Sequence, residues 1–490
     1  MKYIQYIIIA LISIGTTSAQ NVGDAVRYSD LSPIGTARTV GVGGSFGAMG
    51  GDFSVVGINP AGIAEYRIGE FTITPSIENA KSDAYFVADG SKSKRTNSSF
   101  LLDNISFIGA TNPKESSWKT SNWAVGFSKL TSFSKNVSIA GETEGSITER
   151  FVERANGFTL ENLDGFEAGP AYDAGAIFLD AGGNYVTDFK DDDNVTKSQS
   201  IDQNGSINEL SISWAGNYDD KLNVGLSFGI PFVSYSETKR YNEGIVDGEF
   251  SNDLQYIENL TTSGVGANFK LGLQYKAYRQ LRIGVALHSP SWYSLNDDYS
   301  TKLNYKYATA QENYNESGQS PDGSFKYGLT TPWKVVGSIG SIYKIGDIKG
   351  FVNADVEFLD YTNNEYDFTS NSNDPNEGAY AQEVNMNIDE QLGTATNYRL
   401  GTELAYNALR LRAGYTISTS AFISETKTNN SWSAGLGYRA DKFFIDMAYK
   451  RSSVHQGYNP YVVLDQVDRD PLAIIDTNYG RMVATVGFKF

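Results

Sequence analysis

In SGVGANFKLGLQYKAY, residues 263–278, the apolar residues fall on every second position. Val265, Ala267, Phe269, Leu271, Leu273 and Tyr275 stand against Gly266, Asn268, Lys270, Gly272 and Gln274. A period of two is the mark of a strand with one apolar and one wet face. QLRIGVALHS and NALRLRAGYTIS repeat it. Segments of this kind predict strands near 69–78, 99–110, 121–134, 207–217, 221–237, 262–277, 280–296, 325–345, 348–361, 394–407, 409–420, 430–440, 442–453 and 479–490. These make fourteen, an even number, with every apolar face continuous and with no blade-length repeat. The fold class read from this pattern is all-β: a 14-stranded antiparallel transmembrane β-barrel with a small N-terminal hatch in its lumen.

The connections support it. From the third strand on they alternate between turns of about three residues or fewer, as at YDD, YRQ, GD, Asn407–Ala408 and ADK, and long segments rich in Asp, Asn, Ser and Gly. Short turns on one side of a bilayer and long polar loops on the other are the topology of an outer-membrane barrel. The longest loop is expected at 135–206, and 238–261 reads as another. Arg282, Arg399, Arg410 and Arg412 all fall on the wet face, as a lipid-facing exterior requires. A chain with 49 Gly, 31 Tyr, 12 Pro and a mean hydropathy of -0.34 is no bundle of membrane helices.

The ends define three regions. Lys2, the apolar run Tyr3–Ile14 and the small residues Thr17, Ser18 and Ala19 read as an export signal over 1–19, cleaved near Ala19. Residues 20–67, glycine-rich and without period-two sequence, precede the first strand and are available to fill a lumen that fourteen strands leave too wide for their own side chains. Residues 68–490 form the barrel with its extracellular loops. The last strand ends RMVATVGFKF, with Phe490 terminal, resembling the signal that outer-membrane barrels present to their assembly machinery.

Several chemistries are disfavoured. No cysteine is present, so disulfides, thiolate metal sites and a cysteine nucleophile are excluded. The net charge of -17 and the lack of a basic run argue against nucleic acid. The only histidines are His288 and His455, and Ser289 points to the opposite strand face from His288. No catalytic residue, cofactor or metal is therefore assigned; the acidic run at 188–194 lacks the glycine and spaced glutamate of a calcium loop. The lumenal charges, among them Lys270, Lys276, Arg282, Asp355, Glu357, Arg399, Glu403, Arg412 and Asp446, are expected to pair across the wall and with the hatch.

Asn59, Pro60, Ala61 and Gly62 before the first strand, TPW at 331–333 leading through Tyr343 into GFVNADVEFLDYT, then YRLGTELAYNALRLRAGY and SWSAGLGYRADKFFIDMAYK, together resemble the FadL/TodX family of outer-membrane transporters. The likeness runs from about residue 40 to the end, apart from the long loops. It implies a passive importer of long-chain fatty acids or aromatic compounds in the bacterial outer membrane, with no energy-coupling partner. Asn59, Pro60, Ala61 and Gly62 carry over as the hatch motif. A lateral exit carries over to the third strand, SNWAVGFSKLTSF, where Gly126 permits a bulge.

Capture of a hydrophobic ligand is read from the longest loop itself. Phe151, Phe158, Leu160, Leu163, Phe166 and Phe178 place apolar surface where it faces the medium, either as a groove or as a cap. The expected partners are a hydrophobic small molecule, outer-membrane lipids and, through Phe490, the assembly machinery, for a monomeric barrel. The competing reading is a structural or adhesive surface barrel that binds a partner through its acidic loops.

Overall fold

The computed structural model describes residues 21–31, 34–189, 194–247, 250–308, 313–369, 375–464 and 470–490. The leader and its cleavage site lie outside the described residues, as do 190–193 of the acidic run.

The chain opens with two short helices, α1 (Val22–Ser29) and α2 (Ala37–Gly41), each started by a side-chain cap: Asn21 Oδ1 accepts from Asp24 N and Thr36 Oγ1 accepts from Thr39 N. Two 3₁₀ turns follow, Phe53–Gly57 and Pro60–Glu65. Proline at the first position of the second turn costs no hydrogen bond, because that N–H has no partner inside a helix.

From Glu70 the chain is wall. β1 (Glu70–Phe86), β2 (Ser93–Thr111) and β3 (Trp118–Ser132) are antiparallel neighbours, and β4 (Lys135–Glu144) continues the place of β3 after a short break. An excursion carries α3 (Ile147–Ala155), α4 (Ala168–Asp173) and the ribbon β5 (Phe178–Leu179) with β6 (Tyr185–Val186). Three tall strands come next: β7 (Asn194–Tyr218), β8 (Leu222–Asp247) and β9 (Phe250–Lys276). β10 (Leu281–His288) and β11 (Trp292–Ala308) share one place in the wall. After β12 (Asn313–Gln319), β13 (Gly323–Thr330) and β14 (Lys334–Ile345) share the next. β15 (Ile348–Asp360), the short β16 (Glu365–Asp367), α5 (Pro375–Gln391), β17 (Thr394–Tyr406), β18 (Leu409–Ser418), β19 (Asn429–Arg439), β20 (Phe443–Tyr458) and β21 (Ala473–Lys489) complete it. β21 pairs with β1 from Glu70↔Lys489 to Phe86↔Ala473, so the sheet closes as a barrel of fourteen strands.

The register shows why it is a membrane wall. One row runs Trp123, Trp214, Leu226, Leu271, Leu287, Val335 around adjacent strands, all outward and exposed. The next row runs Ala124, Ser213, Ser227, Lys270, His288, Lys334, facing the lumen. An apolar belt of this extent is stable only against lipid, and closure leaves no strand edge there to satisfy.

Two expectations are corrected by strand length. The segments 135–206 and 238–261, read as loops, are in large part strand: β4 and half of β7 in the first, and the upper parts of β8 and β9 in the second. β8 has 26 residues and β9 has 27, whereas ~9–11 residues cross a bilayer. Above the lipid the outward face meets water, so apolar alternation stops although the hydrogen-bond ladder continues. The segments 280–296 and 325–345, read as single strands, are each interrupted, at Ser289–Ser291 and Thr331–Trp333. Pro290 and Pro332 lack the N–H a central ladder needs, and Ser291 N is met by Thr331 Oγ1 at 2.8 Å.

Candidate functional site

The lumen is filled in three levels, which β8 touches in order: the hatch motif at Gly225, α1 at Tyr235, and the outer cap at Glu243. Lowest, toward the short turns, lies the motif. Asn59 is fully buried; its Oδ1 accepts from Ala61 N at 3.2 Å, and its Nδ2 donates to Gly47 O at 2.9 Å and to Leu273 O of the wall at 3.1 Å. One side chain thus caps the 3₁₀ turn Pro60–Glu65, ties it to the preceding loop and fixes both to β9. The seat is made by missing side chains. A Cβ on Gly272 would overlap Asn59 Oδ1, one on Gly225 would overlap Ala61 N, and one on Gly284 would overlap Gly47 O. Pro60 and Ala61 are buried with Asn59, and a Cβ on Gly62 would crowd Val55 and Gly50.

Charges fasten the rest. Arg38 of α2 forms a two-pronged pair with Glu403, at 3.0 and 3.1 Å. Glu403 also accepts from Arg412, whose other end reaches Asp446 at 2.8 Å, and Arg439 closes on Asp446 at 2.7 Å. Asp355 accepts from the N–H groups of Phe46 and Gly47. At the opposite side Glu65 pairs with Lys276 at 2.8 Å and Arg282 at 3.3 Å. Burial alone would raise the Glu65 carboxyl, but Arg282 and Lys276 overrule it and hold it at about 2. His288 Nε2 lies 3.1 Å from the Ile58 carbonyl; a carbonyl only accepts, so Nε2–H donates and the ring serves the hatch.

Above the motif, α1 occupies an apolar chamber. Val22, Ala25 and Tyr28 pack among Tyr235, Tyr293, Leu295, Tyr327 and Leu329 of the wall, with Val384 and Ile388 of α5 in the same cluster. The outermost level is the cap, where α3 and α4 bury Phe151 against Tyr256 at 5.3 Å, and Ser146 Oγ donates to Glu243.

One seam of the wall is not edge to edge. β2 pairs with β3 only from Asn104↔Ser128 to Thr111↔Ser121, and above that point β2 pairs with β1 alone. On the other lip β3 shifts register between Lys129 and Thr131. Phe133 then turns inward, its ring 6.3 Å from Tyr28 of α1 and 5.2 Å from Tyr235. β4 follows β7, but its Val137 and Ile139 pack on Ala84 and Phe86 of β1 and on Ala473 and Ile475 of β21. β4 therefore overlaps the inner face of the wall, and the seam is a slot between two layers beside the α1 chamber.

The sequence-derived positions fall as follows. Asn59, Pro60, Ala61 and Gly62 come together on the glycine seat. Gly126 is regularly paired with Ser106 and Ser211; its missing Cβ makes room for the hatch residue Phe53, and the irregularity begins at Lys129. The six loop residues divide. Phe151 is wholly buried in the cap and Leu163 packs against it, Phe166 rests on Tyr299 at 4.7 Å, and Phe158, Leu160 and Phe178 stay exposed. Phe151 lines no open groove, because apolar helix faces bury each other before they stay open to water. The roles of Tyr28 and Phe133 were missed in the sequence. A signal did exist nearby: in FLLDNISFI both Asp103 and Asn104 are buried polar residues, a slip in alternation where β1 and β2 shift register.

Among solved structures, a FadL homologue from Pseudomonas aeruginosa matches with 11% identity over 94% of this chain and 100% of that one, at a TM-score of 0.56. The toluene transporter TbuX of Ralstonia pickettii matches at 13% identity, covering 94% and 99%, with a TM-score of 0.50, and the P. putida toluene transporter TodX at 11%, 94%, 99% and 0.50. No protein-family model and no curated protein matches the sequence. The class is thus a closed fourteen-stranded membrane barrel with an internal N-terminal segment. Within that class the chain has the fold shared by the FadL homologue and the toluene transporters.

Proposed function

We propose that this protein is a passive outer-membrane channel for hydrophobic small molecules, of the kind represented by long-chain fatty acids and aromatic hydrocarbons. The observation that carries the reading is the pairing of an occluded lumen with a slotted wall. A water-filled porin needs an open bore, whereas here the hatch, α1 and the cap fill it in succession. The seam between β2 and β4, closed by Val137 and Ile139 packing on β1 and β21, is in this reading where the wall parts toward lipid, and it lies next to the apolar chamber around α1. For a solute that gains by leaving water, lateral release into the bilayer keeps its surface covered throughout. The family resemblance and the shared fold point the same way.

In this reading exposed Phe158, Leu160 and Phe178 meet the ligand at the outer surface, and the packed Phe151, Leu163 and Phe166 part to admit it. Asn59, Pro60, Ala61 and Gly62 hold the hatch in its seat. The lateral exit lies along the seam, with Gly126 just below it and Lys129–Ser134 at its bend. Residues 1–19 direct export, Phe490 presents the terminal strand to the assembly machinery, and the barrel works as a monomer in the bacterial outer membrane.

The test is uptake. Cells lacking their own importer and expressing this protein are given radiolabelled palmitate or toluene. Accumulation above vector-only cells, abolished by a disulfide that locks β4 to β1, is the expected outcome. Equal accumulation with and without the protein, at verified surface levels, removes the proposal.

A further inference from the structure

The outer face of the barrel changes character just above its apolar belt, and it does so unevenly. On β8 and β9 the outward positions next above Phe232 and Val265 are Ser234 and Ser236, Ser263 and Thr261, all exposed and neutral. On β20 and β1 the same steps carry cations. Outward Ile445, Met447 and Tyr449 of β20 lead to Arg451, and outward Ile73 and Ile77 of β1 lead through Asn79 to Lys81. The buried alternates Ala448, Ala80 and Ser82 fix this parity, so Arg451 and Lys81 both point away from the lumen and are exposed. Neither has a hydrogen bond or ion pair among the described residues. The acids of the next outward row, Asp83 and Asp476, already face Lys94 at 4.0 Å and His455 Nδ1 at 2.6 Å.

Strand pairing places the two cations around one spot. Gly480 of β21 is opposite Arg451 on one side and Asn79 on the other, and Asn478 of the same strand is opposite Ser453 and Lys81. Two strand spacings and an offset of two residues put the Cα atoms of Arg451 and Lys81 about 12 Å apart, a gap that two long side chains close onto a headgroup between them. Gly480 lies under that gap without a side chain; a Cβ there would crowd the Tyr449 hydroxyl. Ser98 Oγ donates to Asn79 Oδ1 at 2.6 Å and Ser453 Oγ to Asn478 Oδ1 at 2.8 Å. Each amide is thereby turned with its oxygen engaged, and among the described residues the N–H groups of both have no acceptor. Directly below, Tyr449, Met482, Ile77 and Phe100 form one outward apolar row across four strands, with Trp432 against Tyr449 at 5.5 Å.

We infer that Arg451, Lys81, Asn79 and Asn478 form a site for the phosphate of a membrane lipid, on the outside of the barrel and on the side of the long loops. Cations and amide donors at the upper edge of an apolar row complement a phosphate whose acyl chains lie on that row, and charge-assisted bonds to phosphate are the strong kind. A free anion would gain nothing from the row beneath. The site goes beyond the channel reading and stands apart from any path through the lumen; it requires only that the wall be set in a bilayer.

The test compares dipalmitoyl phosphatidic acid with dipalmitoylglycerol, which has the same chains without the phosphate, as equilibrium binding to the full-length protein in a neutral detergent, read by native mass spectrometry. The wild type is expected to bind the phosphatidic acid at least about tenfold more tightly. Arg451→Gln and Lys81→Gln each weaken it by about fivefold and leave dipalmitoylglycerol within about twofold, and Arg451→Lys recovers part of the loss. Lys326→Gln, which removes an outward lysine of β13, leaves both lipids unchanged. Heat-modifiable gel mobility verifies that each variant is folded. Equal affinity of the wild type for the two lipids, or a loss in Lys326→Gln as large as in Arg451→Gln, overturns the site. Displacement of the phosphatidic acid by an equal concentration of inorganic phosphate overturns the lipid as its ligand.

Discussion

At the scale of single residues, the site is built as much from absent atoms as from present ones. Gly225, Gly272 and Gly284 lie on the neighbouring strands β8, β9 and β10, and together they let the backbone around Asn59 approach the wall closely enough for its amide to reach Leu273 O. Gly272→Val forces that amide away. A single-channel conductance above that of the wild type is expected, with a loss of roughly 1–3 kcal/mol in urea unfolding, the usual cost of overpacking. Arg412 is the opposite case, a large buried cation held between two anions. Arg412→Met leaves Glu403 and Asp446 without it, and unfolding in detergent should show a loss of about 3–5 kcal/mol. Arg412→Lys, which keeps the charge between the two acids but not the fork, should lose less.

At the scale of elements, the hatch is an assembly of short pieces packed against the wall. Its pH dependence should follow Glu65, the carboxylate that joins the turn Pro60–Glu65 to Lys276 and Arg282. Its folded value, about 2, lies below the ordinary 4.5, so the stabilisation is complete above pH 4.5 and is lost as pH falls toward 2. Conductance is expected to stay at its closed level down to about pH 4.5 and to rise below it; Glu65→Gln should conduct at neutral pH and lose that acid step. The seam between β2 and β3 is the other element-level device. Alternation cannot reveal it, because a strand that leaves its neighbour keeps its own period of two. What changes is which edge it faces, and Phe133 turning onto Tyr28 is decided by packing.

At the scale of the whole molecule, occlusion is cumulative: motif, chamber and cap each close the bore. Deleting residues 21–60 removes the two lower levels, and planar-bilayer recordings should show a several-fold rise in conductance. An unchanged value would mean that the cap alone seals the barrel. Much of this architecture was legible in the sequence. The period of two and the tight turns at Asp219–Asp220, Asn407 and Gly346, all left-handed in the structure, gave strands, their number and the sidedness of the barrel, because lipid and water impose opposite chemistries on alternate residues. The same signal fell silent above the bilayer, where the tall strands β7, β8 and β9 have water on their outer face. It could not report register either, so the breaks at Pro290 and Pro332 and the overlap of β4 on β1 were settled by tertiary structure alone. Alternation is a local consequence of solvent contact, and a sequence carries it residue by residue; a seam exists only once strands distant in the chain have chosen which neighbours to pair with.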